Sequence, residues 1–233
     1  MKISLISIPE LPPGKRNIKD ARLDQVDKIT KAKKKTYLQV ELVGEEGAVD
    51  ADAILTAKEA AADLILRDLE FVENRISRST QEGEKALLLR FKEALEKEGF
   101  IFGLGLTPEE TKFISSYSLL TKRPVVMVSK EELEYCDDLL AKTLKESGYI
   151  SFFTTGEKET RAWLIKNGAT AWEAAGAIHS DIQKGFIRAE IIALEDFLSC
   201  GGETPAKQAG KMRLEGKDYI MQDCDLANFR FNK

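Results

Sequence analysis

Few residue groupings in this chain have the makings of a reaction centre. A single histidine, His179, excludes a His-pair metal site and any relay between two imidazoles. Its setting, Gly176-Ala-Ile-His179-Ser-Asp181, follows a predicted helix and precedes a predicted strand. The imidazole is therefore read as bonding a backbone group or Asp181 and fixing the turn, with contact to a partner as the alternative. A Ser–His–Asp arrangement through Ser180 or Asp181 needs a nucleophile held by geometry that this spacing does not supply. Cys136, Cys200 and Cys224 lie far apart and form no Cys-x-x-Cys pair. Neither a disulfide framework nor a zinc site is expected of them. The acidic pairs Glu45/Glu46, Glu109/Glu110, Glu131/Glu132 and Asp137/Asp138 are expected on solvated faces and helix N-termini rather than as acid–base dyads. Gly14-Lys15 carries the two residue types that close a phosphate-binding loop, but alone it reads as a turn.

Charge gives a second kind of chemistry, the binding of anions. The net charge of −4 over 233 residues offers no general attraction to nucleic acid or an anionic membrane. Its distribution is uneven: residues 1–40 hold ten Lys/Arg against four Asp/Glu, and residues 41–149 hold fourteen against twenty-three. The run Lys31-Ala-Lys-Lys-Lys35 is one basic spot, read first as a solvated face. With 43% apolar and 32% charged residues the composition is that of an ordinary globular chain. No apolar run approaches the ~20 residues of a membrane span. The N-terminus makes a poor signal peptide, so a reducing cytoplasm is the expected location.

The elements that must position these residues follow from periodicity. Residues 2–8 alternate and read as a strand, stopped by Pro9, Pro12, Pro13 and Gly14. Asp20–Ile29 has helical spacing, and Tyr37–Val43 reads as a strand closed by Gly44 and Gly47. From about Asp52 to Gly99 the apolar residues recur at three- and four-residue steps. Ser79-x-x-Glu82 there resembles a capping box, which divides the stretch into two antiparallel helices. Thr107-Pro108-Glu109-Glu110 starts another helix, Val125–Val128 is a strand, and Glu131–Ser147 is a helix closed by Gly148. Beyond it, Ser151–Thr154 and Arg161–Ile165 form a hairpin around Gly156, and Thr170-x-x-Glu173 caps a helix. Phe186–Leu194, Asp218–Ile220 and Ala227–Phe231 are further strands. Trp163 and Trp172 are expected in a core or between domains.

Three runs carry a family resemblance: Ser151–Trp163, Ala174–Glu190, and Ala209–Asp223 followed by Phe229-Arg-Phe-Asn232. Together they are similar, almost end to end, to the C-terminal TGS-type β-grasp domain of the YchF / Obg-like ATPase family. Ala62–Ile76 resembles the first arm of that family's helical hairpin, and Thr107–Val128 its return into a central strand of the G domain. Asp20–Asp24 with Lys31–Lys35 resembles the segment before another G-domain strand. The resemblance implies an α+β architecture. A degenerate G-domain remnant would occupy 1–53 and 101–147, with a small sheet from residues 2–8, 37–43 and 125–128. A coiled-coil-like hairpin would span 54–100, and a TGS-like β-grasp domain 148–233.

The family's nucleotide site does not carry over. The phosphate loop aligns with Ser7-Ile-Pro-Glu-Leu-Pro-Pro-Gly14-Lys15-Arg16. Its first glycine is Ser7, its spacing is two residues too long, and Arg16 replaces the Mg²⁺-binding hydroxyl. Pro9, Pro12 and Pro13 remove N–H donors. The D-x-x-G turn aligns with Gly44-Glu-Glu-Gly47, and the base-reading Asn with Lys130. The expectation is a non-hydrolysing binding protein with no cofactor. It would dock the ribosome, an RNA or a protein partner, without DNA specificity. By resemblance to other TGS domains the C-terminal domain would make that contact, and its basic residues Lys158, Arg161, Lys184, Arg188, Lys211, Arg213 and Arg230 are the candidate RNA or partner surface. The alternative is a divergent protein that still binds ATP or GTP with Mg²⁺ through Gly14 and Lys15.

Overall fold

A computed structural model describes residues Met1–Asn232. Its elements in chain order begin with β1 (Lys2–Ile6), β2 (Gly14–Ile18), α1 (Ala21–Thr30), β3 (Lys35–Thr36), β4 (Leu38–Val43) and β5 (Ala53–Ala57). The helices α2 (Ala61–Arg78), α3 (Glu82–Glu96) and α4 (Pro108–Phe113) come next, then β6 (Val125–Val128) and α5 (Cys136–Glu146). The remainder is β7 (Tyr149–Thr154), β8 (Thr160–Lys166), α6 (Ala171–Ile178), α7 (Ser180–Lys184), β9 (Phe186–Ile192), α8 (Leu194–Cys200), α9 (Glu203–Gln208), β10 (Arg213–Glu215) and β11 (Leu226–Phe231). The strands form two sheets, one of five in the order β2-β4-β1-β5-β6 and one of six in the order β10-β9-β11-β7-β8-β3. This is a mixed α/β arrangement.

The chain forms two compact units. Met1–Arg16 with Val40–Leu139 make the first, and Asn17–Gln39 with Leu140–Lys233 make the second. Within the first, β1 lies parallel between β4 and β5, and β5 lies parallel to β6. Four consecutive residues of β5 are buried. A run apolar on both faces belongs in the interior of a parallel sheet, which is why Ala53–Ala57 is a strand and not the start of the predicted helix. The helix begins at Ala61, where Leu64, Ile65 and Val72 take up the three-to-four spacing. Helix α3 buries Leu87, Leu88, Phe91 and Leu95, which pack with Ile65, Val72, Ile101, Ile114 and Leu119. The predicted capping box at Ser79 does not form. Gln81 is the N-cap and makes no side-chain cap, while the Ser79 hydroxyl donates instead to Glu84 Oε2 at 2.7 Å. The box at Thr107 does form, with Glu110 N–H donating to Thr107 Oγ1 and Thr107 N–H to Glu110 Oε2.

The second unit is built around the six-stranded sheet, whose two faces are both covered. On one, Phe152, Ile165, Ala189, Ile191 and Phe229 pack with Ala171, Ala174 and Ala175 of α6. On the other, Phe153, Ala162, Ile192 and Leu226 pack with Phe197 of α8, Ala206 of α9, and Leu23 and Val26 of α1. That last contact takes residues 17–39 out of the unit of 1–53 and 101–147 expected to hold them. Leu23 and Val26 are fully buried in the second unit's core, so residues 17–39 fold with the C-terminal part. The predicted hairpin around Gly156 is β7–β8, antiparallel and in register from Tyr149↔Lys166 to Thr154↔Arg161. The predicted strand at 218–220, expected to pair with Ala227–Phe231, is only a bridge between Thr170 and Ile220; β11 lies between β9 and β7, and β10 is added at the edge beside β9. Among the described residues no helix is long and apolar enough to cross a membrane.

Candidate functional site

In an open parallel sheet ligands bind beyond the carboxyl ends of the strands. Here that edge is formed by the residues after β1, β4, β5 and β6. Ser7 leaves β1 at φ 56°, a left-handed conformation that a non-glycine residue adopts at a cost. The loop beyond it turns on Leu11 N–H donating to Ile8 O at 3.4 Å and buries the Leu11 side chain. Gly14, at φ +138°, opens β2, and Lys15 sits exposed on that strand. After β4, Gly44 caps a 3-10 turn over Glu45–Asp50, and its carbonyl accepts from Ser4 Oγ at 3.1 Å. Gly47 has a packing reason to be glycine, since a Cβ there would lie 2.7 Å from Val43 Cγ2. After β6, Glu132 Oε2 accepts from Ser129 N–H at 2.9 Å, next to Lys130. No group of three or more His, Cys, Asp or Glu among the described residues is placed to hold a metal ion.

The basic residues expected at the docking surface separate into two groups on the second unit. Arg188 and Arg230 stand directly opposite on β9 and β11. Arg230 is paired with the buried carboxylate of Glu190, which also accepts from Asn228 Nδ2 at 2.9 Å and is held below the usual carboxylate range chiefly by Arg230. Lys211 pairs with Asp196 at 3.1 Å and Arg213 with Glu215 at 3.2 Å. Arg213 also donates to the Tyr219 hydroxyl at 2.8 Å, a phenol that burial pushes up to about 12. Lys184 is exposed at the end of α7. Much of this side of the sheet is thus neutralised from within.

Lys158 and Arg161 belong elsewhere, on the β7–β8 turn and β8, where the structure adds a neighbour that sequence order conceals. Strand β3 runs parallel to β8, with Lys35 opposite Thr160 and Thr36 opposite Arg161. Lys33 N–H donates to Glu157 O at 3.2 Å and Thr160 N–H to Lys34 O at 2.9 Å. The Thr30 and Thr160 hydroxyls meet at 2.8 Å. The basic run 31–35 is thereby fastened along the 155–161 turn. Lys35 is spent internally, on Asp24 at 2.6 Å; that ammonium, and then the Tyr37 hydroxyl, hold the Asp24 carboxyl low. Lys34 reaches Glu159 at 3.2 Å. The Arg161 guanidinium lies 4.1 Å from the centre of the Trp163 ring, which itself donates to Thr154 Oγ1 at 2.9 Å. Local periodicity could not have joined these segments, because a parallel pairing between chain positions so far apart leaves no mark on either.

His179 is the C-cap of α6 and the N-cap of α7. Its Nδ1 accepts the Asp181 N–H at 3.1 Å, the turn-fixing role expected from its neighbours.

Known proteins share much of this chain. The family model described as YchF-GTPase_C, protein of unknown function (DUF933), matches residues 149–232. The "Ribosome-binding ATPase YchF" of Haemophilus influenzae is 34% identical over 233 residues, covering 73% of this chain and 64% of the relative. The protein of the same name from Haemophilus ducreyi is 32% identical over 256 residues, covering 82% and 69%. That of Buchnera aphidicola from Acyrthosiphon pisum is 54% identical over 91 residues, covering 37% and 25%. The chain thus spans less than two thirds of the length of the Haemophilus influenzae relative. The solved structure of the Schizosaccharomyces pombe YchF GTPase has the same fold, with a TM-score of 0.75 at 19% identity, covering 99% of this chain and 97% of that one.

Proposed function

This chain belongs to the YchF family, and from that premise we propose that it is a ribosome-docking member that neither holds nor hydrolyses a nucleotide. The relatives it matches are named ribosome-binding ATPases. The first half of that name is carried over to this chain and the second is not.

The observation that carries the reading is the path after Gly14. A phosphate loop works because its glycines release backbone N–H groups towards the phosphates and because a helix starts immediately afterwards, its N-terminus facing the anion. Here Gly14 is followed by β2, and the next helix starts only at Ala21. Lys15 is carried on an extended strand with no helix N-terminus behind it, and Arg16 supplies no hydroxyl for Mg²⁺. These residues do not fit a nucleoside triphosphate. The family's D-x-x-G turn aligns with Gly44-Glu-Glu-Gly47, which keeps the last glycine and lacks the aspartate that supports Mg²⁺. The C-terminal unit, read as a TGS-like β-grasp module, then carries the docking, and a ribosome partner implies the cytoplasm.

Titration calorimetry with ATP and with GTP, each with Mg²⁺, is expected to show no binding, and Lys15→Ala is expected to match the wild type. Saturable micromolar binding that Lys15→Ala abolishes would sink the reading. Sedimentation with ribosomes is expected for the wild type at low salt and is lost as salt rises, because contacts to phosphates release counterions.

A further inference from the structure

Resting on the ribosome-docking reading, we propose that the edge of the second sheet formed by β3 and the β7–β8 turn is an RNA-binding surface that grips the sugar–phosphate backbone of single-stranded RNA. Lys31, Lys33 and Lys158 are the gripping residues.

The first ground is which cations remain available. Of the basic side chains along this edge, Lys35, Lys34 and Arg161 are engaged with Asp24 or Glu159. Lys31, Lys33 and Lys158 are exposed, and no carboxylate lies within ion-pair distance of them among the described residues. Lys31 takes a left-handed conformation at φ 51° as the C-cap of α1, which turns the chain out of the helix and into the lysine run. The backbone bonds from Lys33 to Glu157 and from Thr160 to Lys34 then hold that run against the turn bearing Lys158. Like charges gathered at a fixed edge repel one another, so their arrangement costs stability unless an anion occupies it.

The second ground is the guanidinium of Arg161. It is stacked on Trp163, and its buried Nε has no hydrogen-bond partner in the protein. Protein donors left unsatisfied are uncommon. An arginine held over an indole ring beside free ammonium groups is a pairing that single-strand binders use for backbone and base together.

The third ground is charge partition. Residues 17–39 and 140–233 carry twenty Lys/Arg against sixteen Asp/Glu, whereas residues 1–16 and 40–139 carry fifteen against twenty-three. The unit bearing this edge is the cationic one only because residues 17–39 fold into it. Ammonium groups are compact and non-directional, so the surface reads phosphates and not sequence. Glu157 lies within the same edge and keeps the contact weak and sensitive to salt.

The test measures binding of a fluorescent single-stranded RNA of mixed sequence by anisotropy across a salt series. It compares the wild type, the triple variant Lys31→Glu/Lys33→Glu/Lys158→Glu, and a control triple Lys145→Glu/Lys207→Glu/Lys217→Glu of equal charge change on exposed lysines outside that edge. The first triple is expected to lose at least about tenfold in affinity at low salt. The slope of log affinity against log salt should shrink by about 2, from three lost phosphate contacts at roughly 0.7 each. The control should stay within about threefold of the wild type, as expected for charges outside the contact. The neutral triple of glutamines should show the same loss of slope without adding repulsion. Equal losses in both charge-reversed triples, an unaffected first triple, or a wild type that does not bind RNA would each overturn the proposal. Ribosome sedimentation separates the two readings. Wild-type sedimentation that the first triple leaves intact removes this surface but keeps the function. Site-dependent RNA binding without sedimentation keeps the surface and removes the function.

Discussion

At the scale of single residues, the polar groups this fold buries are used for construction. Asp68 sits in the middle of α2 with 1% of its surface exposed. It accepts from Leu120 N–H at 2.9 Å, Thr121 N–H at 2.7 Å and Thr121 Oγ1 at 2.7 Å. Burial pushes its carboxyl up while those three donors pull it back down. The side chain supplies acceptors to a turn, Leu119–Arg123, whose amides have no strand to join. In sequence Asp68 falls on the apolar stripe of α2, four residues from both Leu64 and Val72, where Asp63 and Glu70 do not; the spacing marks it as buried but not which amides it bonds. Asp68→Ala strands two buried backbone donors and is expected to destabilise the protein by about 1–3 kcal/mol, the cost of leaving such a donor unpaired. Urea denaturation measures this, and Asp68→Asn should fall in between, because Leu120 N–H and Thr121 N–H bond different carboxylate oxygens and the amide NH2 that replaces one of them cannot accept. A substitution to Ala without measurable cost would mean that water reaches the turn.

At the scale of elements, α2 and α3 are legible from their apolar spacing, and so is the β7–β8 hairpin. The buried strand β5 is not, because a short run such as Ala53-Ile-Leu-Thr-Ala57 is equally a turn of buried helix until its neighbours are known. Strand β2 is hidden by Pro12, Pro13 and Gly14, which announce a turn and leave the strand beyond it unmarked. The join between α2 and α3 shows how tertiary contact overrides a local motif. Ser79 gives up the cap of α3 to bond Glu84, and Glu84 also accepts from the Tyr117 hydroxyl and from Arg75 Nε at 2.7 Å. The Tyr117 hydroxyl, then Ser79 and Arg75, hold the Glu84 carboxyl down at about 2. A carboxylate with a depressed folded pKa stabilises the fold above its unfolded pKa and loses that contribution as pH falls to the folded value, here from about 4.5 to about 2. Glu84→Gln should therefore lower the melting temperature at neutral pH, with the gap to the wild type closing across that window. Thermal melts followed by circular dichroism would show it. A gap that does not change with pH would mean that shape and not charge holds the cluster.

At the scale of the whole molecule, the order of the chain and the order of the fold diverge at residues 17–39. Sequence reasoning places this segment with the strands that flank it, β1 and β4, because proximity along the chain is the only proximity a sequence displays. Leu23 and Val26 instead fill the core that holds Phe153, Ala162 and Phe197. The same rearrangement moves the lysine run onto the C-terminal unit and gives that unit its positive charge. The assignment has a consequence in exchange kinetics. Phe153 is fully buried between β8 and β11, and truncating a buried phenylalanine costs about 3–5 kcal/mol. Phe153→Ala should raise amide hydrogen exchange in β7, β8 and β11 and, to a similar extent, in α1, because these elements share one core and open together. Strands β1, β5 and β6 should keep their wild-type protection. Mass spectrometry of peptides covering residues 21–30 decides the matter. If they keep pace with residues 149–166, the segment belongs to the C-terminal unit. If they remain protected along with residues 53–57, the packing of Leu23 and Val26 does not tie α1 to that core, and the charge partition on which the RNA surface depends falls with it.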